Sequence, residues 1–282
     1  MPFVVHAGGR LYYDLLGNPD APPLVLARGL ARSHRYWLGF AELMAEDFRV
    51  IIFDNRGVGQ SSAPPPPYST RVMADDVAAV MDAAGIERAH YFGLSLAGMI
   101  GQWFAIRHPH RVQSLALGCT TSLGRRGTSW NAKLSILKSA RLPLADALRV
   151  TAKLTLADDF VRERPDILDV WTTLAREEPA STRGLVGQGC AGLLHDTRGL
   201  LPQIQARTLL ITGDRDRLIP ARNSYQLLDQ IPNARLCILP NGGHDFPTER
   251  PGETARVLRN FFLRDREISV GSDENSAWGM LH

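Results

Sequence analysis

At positions 93–98 the chain reads Gly93-Leu94-Ser95-Leu96-Ala97-Gly98. An apolar run typical of a buried strand precedes this stretch, and a segment with a helical pattern follows it. A serine on so sharp a strand-to-helix turn needs small residues two positions away on either side, and Gly93 and Ala97 meet that requirement. The N–H groups at the start of the following helix would favour negative charge at Ser95. We therefore predict that Ser95 is a nucleophile.

Apolar runs alternate with helical patterns along most of the chain, which predicts a mainly parallel sheet covered by helices on both faces. The runs that we interpret as buried strands are Leu24–Ala27, Val50–Phe53, Ala89–Gly93, Val112–Leu117, Thr208–Thr212 and Arg235–Leu239. Helical patterns between or after them include Thr70–Ala84, Met99–Arg107 and Pro251–Arg264. The predicted fold class is therefore α/β.

The alternation stops within residues 121–199, where amphipathic helical patterns follow one another without a convincing strand. These patterns cover Trp130–Arg141, Pro143–Leu156, Pro165–Arg176 and Thr182–Leu194. We interpret 121–199 as a helical lid inserted late in the sheet, and 1–120 with 200–264 as the core. Residues 265–282 are polar, so we predict that they form a mobile tail.

Two later segments supply what a serine nucleophile lacks. One strand-like run leads into Gly213-Asp214-Arg215-Asp216, and the next ends in the glycine-rich turn before His244. The hydroxyl needs a base because it is barely nucleophilic at neutral pH, and the base needs an acid to orient it. Because active sites of open α/β sheets lie at the carboxyl ends of the strands, we expect Ser95, His244 and one of the two aspartates to meet there. From the residues alone, Asp214 and Asp216 both qualify.

Composition limits the ligand and the location. The chain has 282 residues, 44% of them hydrophobic, a formal charge of +3, and basic residues scattered rather than gathered into a stripe, which favours a small-molecule substrate over nucleic acid. No apolar stretch reaches the roughly 18 residues of a membrane span, and the first residues lack the pattern of a signal peptide. The three cysteines lie in apolar runs without metal-ligand spacing. We expect a cytoplasmic protein with reduced thiols, no metal, no cofactor and no membrane contact, while homo-oligomer formation stays open.

These segments together resemble the α/β-hydrolase superfamily, over residues 11–263. The loop Asp54–Ser61 is similar to the family's Asp-x-Arg-Gly-x-Gly-x-Ser pattern, and Trp37 stands where many members carry tryptophan. The resemblance implies a mainly parallel eight-stranded sheet flanked by helices, with the helical lid inserted late in it. It selects Asp216 as the acid, because a proline follows that residue four positions later. A weaker resemblance, at 189–196 and in the segment Arg259-Asn260-Phe261-Phe262, is to 3-oxoadipate enol-lactonases and related esterases.

The resemblance also implies an oxyanion hole and exposes one departure from the family. The hole is expected to use the backbone N–H groups of Leu30 and Leu96. Members usually carry histidine before the glycine of the first turn, whereas this chain carries Arg28 there.

The loop that begins at Arg28 is unusually basic, since Arg32, His34 and Arg35 follow. One hypothesis is that an arginine here pairs with a substrate carboxylate, which suits the fork of a guanidinium. The alternative is a set of solvated loop charges, with Arg28 bonded to backbone carbonyls. For His195, late in the lid, we expect an exposed helix end rather than a substrate contact. The residues that we predict to contact substrate are Arg28, Arg32, His34, Trp130 and Phe246.

The predicted function is a serine hydrolase that cleaves an ester, lactone or thioester of a small hydrophobic molecule through an acyl-enzyme on Ser95. Carbon–carbon bond hydrolases, cofactor-free perhydrolases and lyases have a similar fold and triad, and some members of the superfamily are ligand-binding receptors. Fold alone does not separate these classes. They remain alternatives at this stage.

Overall fold

A computed structural model describes residues 2–139 and 142–263. In these ranges one sheet is formed by the strands β1 Phe3–His6, β2 Gly9–Leu16, β3 Pro23–Ala27, β4 Arg49–Phe53, β5 Ala89–Leu94, β6 Val112–Gly118, β7 Thr208–Gly213 and β8 Ala234–Leu239. Their order is β1-β2-β4-β3-β5-β6-β7-β8. Strands β1 and β2 pair antiparallel, as do β2 and β4, and the other neighbours are parallel. The predicted α/β class and eight-stranded, mainly parallel sheet are confirmed. The predicted tail at 265–282 lies outside the described residues.

The helices in the described ranges flank this sheet or form the insertion. They are α1 Phe40–Met44, α2 Thr70–Ala83, α3 Leu96–Arg107, α4 Gly124–Gly127, α5 Trp130–Ser139, α6 Leu144–Thr155, α7 Asp158–Glu163, α8 Ile167–Glu177, α9 Thr182–Leu193, α10 Arg222–Leu228, α11 Phe246–Glu249 and α12 Pro251–Leu263. Short 3-10 turns lie at His34–Trp37, Pro109–Arg111 and Leu201–Gln203. Within the part of the chain that the structure describes, no helix has both the length and the apolar character needed to cross a membrane.

The central strands are apolar on both faces because each face is covered. In β3, Val25 and Ala27 join one buried cluster, and Leu24 and Leu26 join the other. Successive side chains of a strand point to opposite faces, so a strand covered twice must be apolar at every position. This is why the interior strands could be read as unbroken apolar runs.

The insertion between β6 and β7 contains α4 to α9 and a small core of its own. Trp171 of α8 is fully buried there, and it packs beside Tyr36 from the core of the sheet domain. The ring centroids of Tyr36 and Trp171 are 6.4 Å apart. The insertion is therefore fastened to the core by shared aromatic packing.

Two glycines bring α9 into backbone contact with the 54–61 loop. A Cβ atom on Gly57 would lie 2.6 Å from the Cα atom of Gly184, and Gly57 also has a φ of +90°. A Cβ atom on Gly184 would in turn collide with the backbone of Gly57. The helix can approach this closely only because neither residue has a side chain.

Gly184→Ala is expected to lower the free energy of unfolding by about 1–3 kcal/mol, because the new methyl group must push α9 away from the loop. Urea denaturation measures the change. Gly189→Ala, in the same helix, is the matched control, because a Cβ atom there meets nothing within 4 Å. The control should be as stable as the wild type or up to about 1 kcal/mol more stable, since alanine favours the helix. Equal stability of the two variants would show that the close contact does not matter.

Candidate active site

Ser95 lies on a strained turn between β5 and α3. Its backbone has φ +60° and ψ −117°, a conformation that residues with a side chain rarely adopt. A Cβ atom on Gly93 would lie 2.6 Å from the carbonyl carbon of Ala97, and one on Gly98 would lie 2.6 Å from Thr120. The small residues that the sequence places around Ser95 are therefore required by close packing. The serine itself is half-buried.

His244 and Asp216 form a buried pair beside this turn. The Nδ1 atom of His244 lies 2.7 Å from Oδ2 of Asp216. A carboxylate only accepts hydrogen bonds, so Nδ1 carries the proton and donates it, which leaves Nε2 able to accept one. The other carboxylate oxygen accepts the N–H groups of Leu218 and Ile219, both at 2.8 Å. The structure thus sets Asp216 against the imidazole, whereas Asp214 is exposed.

A short path of contacts connects Ser95 to this pair. The Ser95 N–H donates to the carbonyl of Gly118 at 2.8 Å, and Cys119 is the next residue. Ligand-type atoms of Cys119, Asp216 and His244 all lie within 4.8 Å of one another. Within the described residues no hydrogen bond joins the Ser95 hydroxyl to His244; contacts of this kind often tighten only when a substrate binds.

The cluster of Cys119, Asp216 and His244 has the residue types of a metal site, but its chemistry does not favour one. Burial raises the pKa of the Cys119 thiol well above its usual value, and the Asp216 carboxylate adds to the rise. A metal would need the thiolate, and it would compete with the 2.7 Å bond between His244 and Asp216. The absence of a metal remains a prediction.

The backbone N–H groups of Leu30 and Leu96 are positioned as candidate oxyanion donors. Leu96 begins α3 directly after Ser95, and a Cβ atom on Gly29 would lie 3.0 Å from the Cβ atom of Ser95, which places the Leu30 turn against the serine. Across the described ranges, neither N–H group donates a hydrogen bond to the protein. Both groups are therefore free to bind a developing negative charge.

Residues 22–251 match the sequence profile of a family described as the alpha/beta hydrolase fold. The chain belongs to the α/β-hydrolase family. It is similar to "Putative carbamate hydrolase RutD" of Stutzerimonas stutzeri (strain A1501), with 32% identity over 243 residues that cover 83% of this chain and 89% of the relative. Hydrolase activity on this fold is thus supported.

Solved structures of α/β hydrolases superpose closely on this one. The structure titled "Est816 as an N-Acyl homoserine lactone degrading enzyme" has a TM-score of 0.81 and 28% identity, covering 92% of this chain and 100% of that one. An enol-lactonase from Burkholderia xenovorans LB400 has a TM-score of 0.84, covering 93% of this chain and 100% of that one. At 24% identity the latter shows the fold alone.

In this α/β hydrolase, the side chain of Arg28 is bonded to Asp245, and within the described residues it does not bond backbone carbonyls as one alternative expected. Two of its nitrogens donate to the two Asp245 oxygens at 3.0 and 2.8 Å, and both side chains are almost fully buried. Burial favours a raised pKa for the Asp245 carboxyl, but the Arg28 guanidinium outweighs it and holds that pKa below its usual value. Arg28 precedes the turn of Gly29 and Leu30, here called the oxyanion loop, and Asp245 follows His244 in the turn 240–245, here called the histidine loop. The ion pair therefore ties these two loops together.

Among the other predicted substrate contacts, His34 and Phe246 are engaged within the protein, whereas the contact by Trp130 stays a prediction. His34 bonds Asp54, with its backbone N–H at 2.7 Å and its ring Nδ1 at 2.9 Å from Oδ1. Phe246 is fully buried against Phe92 and has no surface for a substrate to contact. Trp130 is 76% exposed on α5. Position in the sequence does not reveal which way the side chains of His34 and Phe246 turn.

The prediction that His195 lies at an exposed helix end is wrong, because its side chain is buried. Its Nδ1 atom lies 3.0 Å from the Thr70 hydroxyl, and its Nε2 atom lies 3.4 Å from that of Thr197. Burial lowers its pKa to about 4. His195 is therefore a neutral core residue that joins the end of α9 to α2.

Two residues that the sequence did not single out hold the site together. Gln188 of α9 accepts the N–H of Ala31 at 2.8 Å and donates to the carbonyl of Arg56 at 2.9 Å, so the insertion braces the oxyanion loop. Glu249 accepts the N–H of Gly243 at 2.9 Å, directly before the histidine, and that of Ala157 at 3.1 Å. Polar residues with such distant partners leave no local sequence signal.

Asp245→Asn should lower the free energy of unfolding at neutral pH by about 3–5 kcal/mol, because Arg28 is left buried without a counter-charge. The double variant Arg28→Met/Asp245→Leu removes both charges and should lose less. Urea denaturation of Asp245→Asn, Arg28→Met and the double variant measures these losses.

The ion pair also makes the stability of the wild type depend on pH. Its contribution to the free energy of unfolding is complete above pH 3.8 and falls as the pH drops through the lower folded pKa of Asp245. Equal losses in Asp245→Asn and the double variant would contradict the ion pair.

The raised pKa of Glu249 leads us to expect the opposite dependence of the free energy of unfolding on pH. Burial raises its pKa from 4.5 to about 7, although the two N–H donors oppose this. The folded protein therefore keeps a proton that the unfolded chain has released, and the associated stability, complete below pH 4.5, is lost as pH rises through about 7. Glu249→Gln removes this titration. Between about pH 5 and 7.5 the free energy of unfolding of the wild type should fall more than that of Glu249→Gln. The control variant Glu163→Gln, at an exposed position, should behave as the wild type. Equal decreases in all three proteins would contradict the raised pKa of Glu249.

Proposed function

We propose that this chain is a serine hydrolase that cleaves an ester, lactone or thioester of a small hydrophobic molecule. The observation that carries the proposal is the buried 2.7 Å bond between His244 and Asp216 at the sheet edge where Ser95 sits on its strained turn. That arrangement supplies a nucleophile, a base with a free Nε2 and an acid that fixes the tautomer of the base.

The proposed reaction has two steps. His244 takes the Ser95 proton as the hydroxyl oxygen attacks the substrate carbonyl, and the N–H groups of Leu30 and Leu96 stabilise the oxyanion. His244 then gives the proton to the leaving group, and the Ser95 oxygen carries the acyl group. Water, deprotonated by His244, attacks the acyl-enzyme, and the second tetrahedral intermediate collapses to the acid as His244 returns the proton to the Ser95 oxygen.

Apolar surface favours a substrate with a hydrophobic part. Most of the exposed large apolar residues in the described ranges belong to the insertion, and these are Trp130, Leu134, Ile136, Leu137, Leu142, Leu144, Leu185, Val186, Leu193 and Leu194. An apolar lid beside a polar catalytic centre is typical of enzymes that bind small apolar acyl or alcohol groups.

A second candidate substrate class is the carbamate. It is favoured by the relative at 32% identity, whose name is that of a carbamate hydrolase. The carbonyl of a carbamate is attacked by serine in the same way as that of an ester, so the residues proposed above would keep their roles. Carbon–carbon cleavage, perhydrolysis, lyase chemistry and ligand reception are the alternative outcomes of the test below.

Ser95→Ala should abolish the turnover of p-nitrophenyl butyrate, and mass spectrometry of the wild type should find the butyryl group on Ser95. Asp216→Asn should lower kcat by about 10⁴-fold, because the imidazole loses its orienting acceptor. Asp214→Asn is the matched control and should stay within about threefold of wild type, since Asp214 is exposed. A panel of butyrate esters, lactones, thioesters and aryl carbamates then ranks the substrate classes.

Two results would overturn the proposal. One is turnover that persists in folded Ser95→Ala. The other is a wild type that is folded yet gives neither product nor adduct with any member of the panel, which would leave a lyase, a carbon–carbon hydrolase or a receptor.

A further inference from the structure

Arg32 occupies an aromatic slot next to the catalytic centre. Its Cζ atom lies 4.3 Å from the ring centroid of Tyr36 and 4.1 Å from that of Trp171, so its guanidinium group packs against both rings. Its backbone N–H donates to the carbonyl of Gly29 at 3.3 Å, and Gly29 is the residue packed against Ser95. The side chain is half-buried at the boundary between the core and α8.

This cation has no carboxylate partner, unlike its neighbours in the same loop. Arg28 is bonded to Asp245, and Arg35 lies 2.7 Å from Glu177. Within residues 2–139 and 142–263, no ion pair joins Arg32 to an acidic side chain. Burial lowers the pKa of Arg32, against the opposing influence of Tyr36 and Asp245, but an arginine remains charged at neutral pH.

The carboxylate of Asp245 is not available to Arg32. The two guanidinium groups of Arg28 and Arg32 face the single carboxylate of Asp245, whose oxygens are both occupied by Arg28. The Nε atom of Arg28 is also buried without a hydrogen-bond partner. Within the described residues Arg32 therefore keeps a charge that forms no ion pair, and a partly desolvated charge of this kind is stabilised by an incoming anion.

An anion would bind to the N–H donors of the Arg32 guanidinium group. The N–H donors of a guanidinium group point outward in its own plane. A carboxylate binds in that plane through two parallel hydrogen bonds. Tyr36 takes part in a side-chain hydrogen bond with Arg32, and a guanidinium group has further N–H donors for an anion.

We propose that Arg32 binds a carboxylate of the substrate, so that the favoured substrates are esters, lactones or thioesters that carry a second, ionised carboxyl group. This inference rests on the proposed function, and it adds a charged group to the hydrophobic substrate inferred above. Arg32 determines specificity and takes no part in the bond-breaking steps.

The test compares two series of p-nitrophenyl esters of dicarboxylic acids of increasing chain length. In one series the far carboxyl group is free, and in the other it is capped as a methyl ester. For wild type the ratio of kcat/KM, free over capped, should exceed one at the best chain length. Arg32→Met keeps an apolar side chain between the rings and should lower this ratio about tenfold or more, mainly through KM, since a charge-assisted hydrogen bond is lost. Arg35→Met, in the same loop, should leave the ratio unchanged.

A binding measurement keeps the inference testable without turnover. On the Ser95→Ala background, calorimetry with monomethyl esters of the same acids should show binding that Arg32→Met weakens about tenfold and Arg35→Met does not. An unchanged ratio and unchanged binding in Arg32→Met would overturn the role of Arg32 and leave the serine hydrolase intact. Failure of the wild type on both ester series, with binding still dependent on Arg32, would overturn the proposed function instead.

Discussion

The strained backbone at Ser95 is the constraint on which the rest of the site depends. A φ of +60° with a ψ of −117° costs on the order of 1–3 kcal/mol, and it persists only where the surroundings impose it. Here the Ser95 N–H is held by Gly118 at 2.8 Å, and the Ser95 carbonyl accepts the N–H groups of Gly98 and Met99 at 2.9 and 3.2 Å. The turn places Ser95 directly before the first residue of α3. The small residues on either side are a consequence of this geometry.

The catalytic loops are held by buried polar contacts between distant parts of the chain. The Arg28–Asp245 ion pair joins the oxyanion loop to the histidine loop, while Gln188 and Glu249 join each of these loops to the insertion. Such contacts are sensitive to the loss of one partner, because the remaining group stays buried and unsatisfied. The insertion therefore helps to hold the loops of the candidate active site in place.

Arginine takes two different roles within a few residues of this loop. Arg28 is matched by a carboxylate in a two-pronged ion pair and stacks on Trp37, with its Cζ atom 4.8 Å from the ring centroid. Arg32 packs against two rings and, within the described residues, forms no ion pair. Arg28 has an internal ion-pair partner and so does not fit the hypothesis of an arginine that binds a substrate carboxylate, whereas Arg32 does fit it. The sequence does not show which arginine has such a partner.

The sequence by itself determined the α/β class, the six strands of the parallel part of the sheet, and the segments from which Ser95, Asp216 and His244 come. It could do so because these features are local: burial on both faces makes a continuous apolar run, and a strained turn demands small neighbours at fixed spacing. The tertiary structure decided that Asp216 faces the imidazole while Asp214 is exposed, that His195 is a core residue, and that Phe246 and His34 are engaged within the protein. It also decided that Asp245 neutralises Arg28 and that Trp171 encloses Arg32. Those outcomes depend on contacts between residues far apart in the chain, whose free energies are fixed by distance and burial, and no local pattern of residues encodes either.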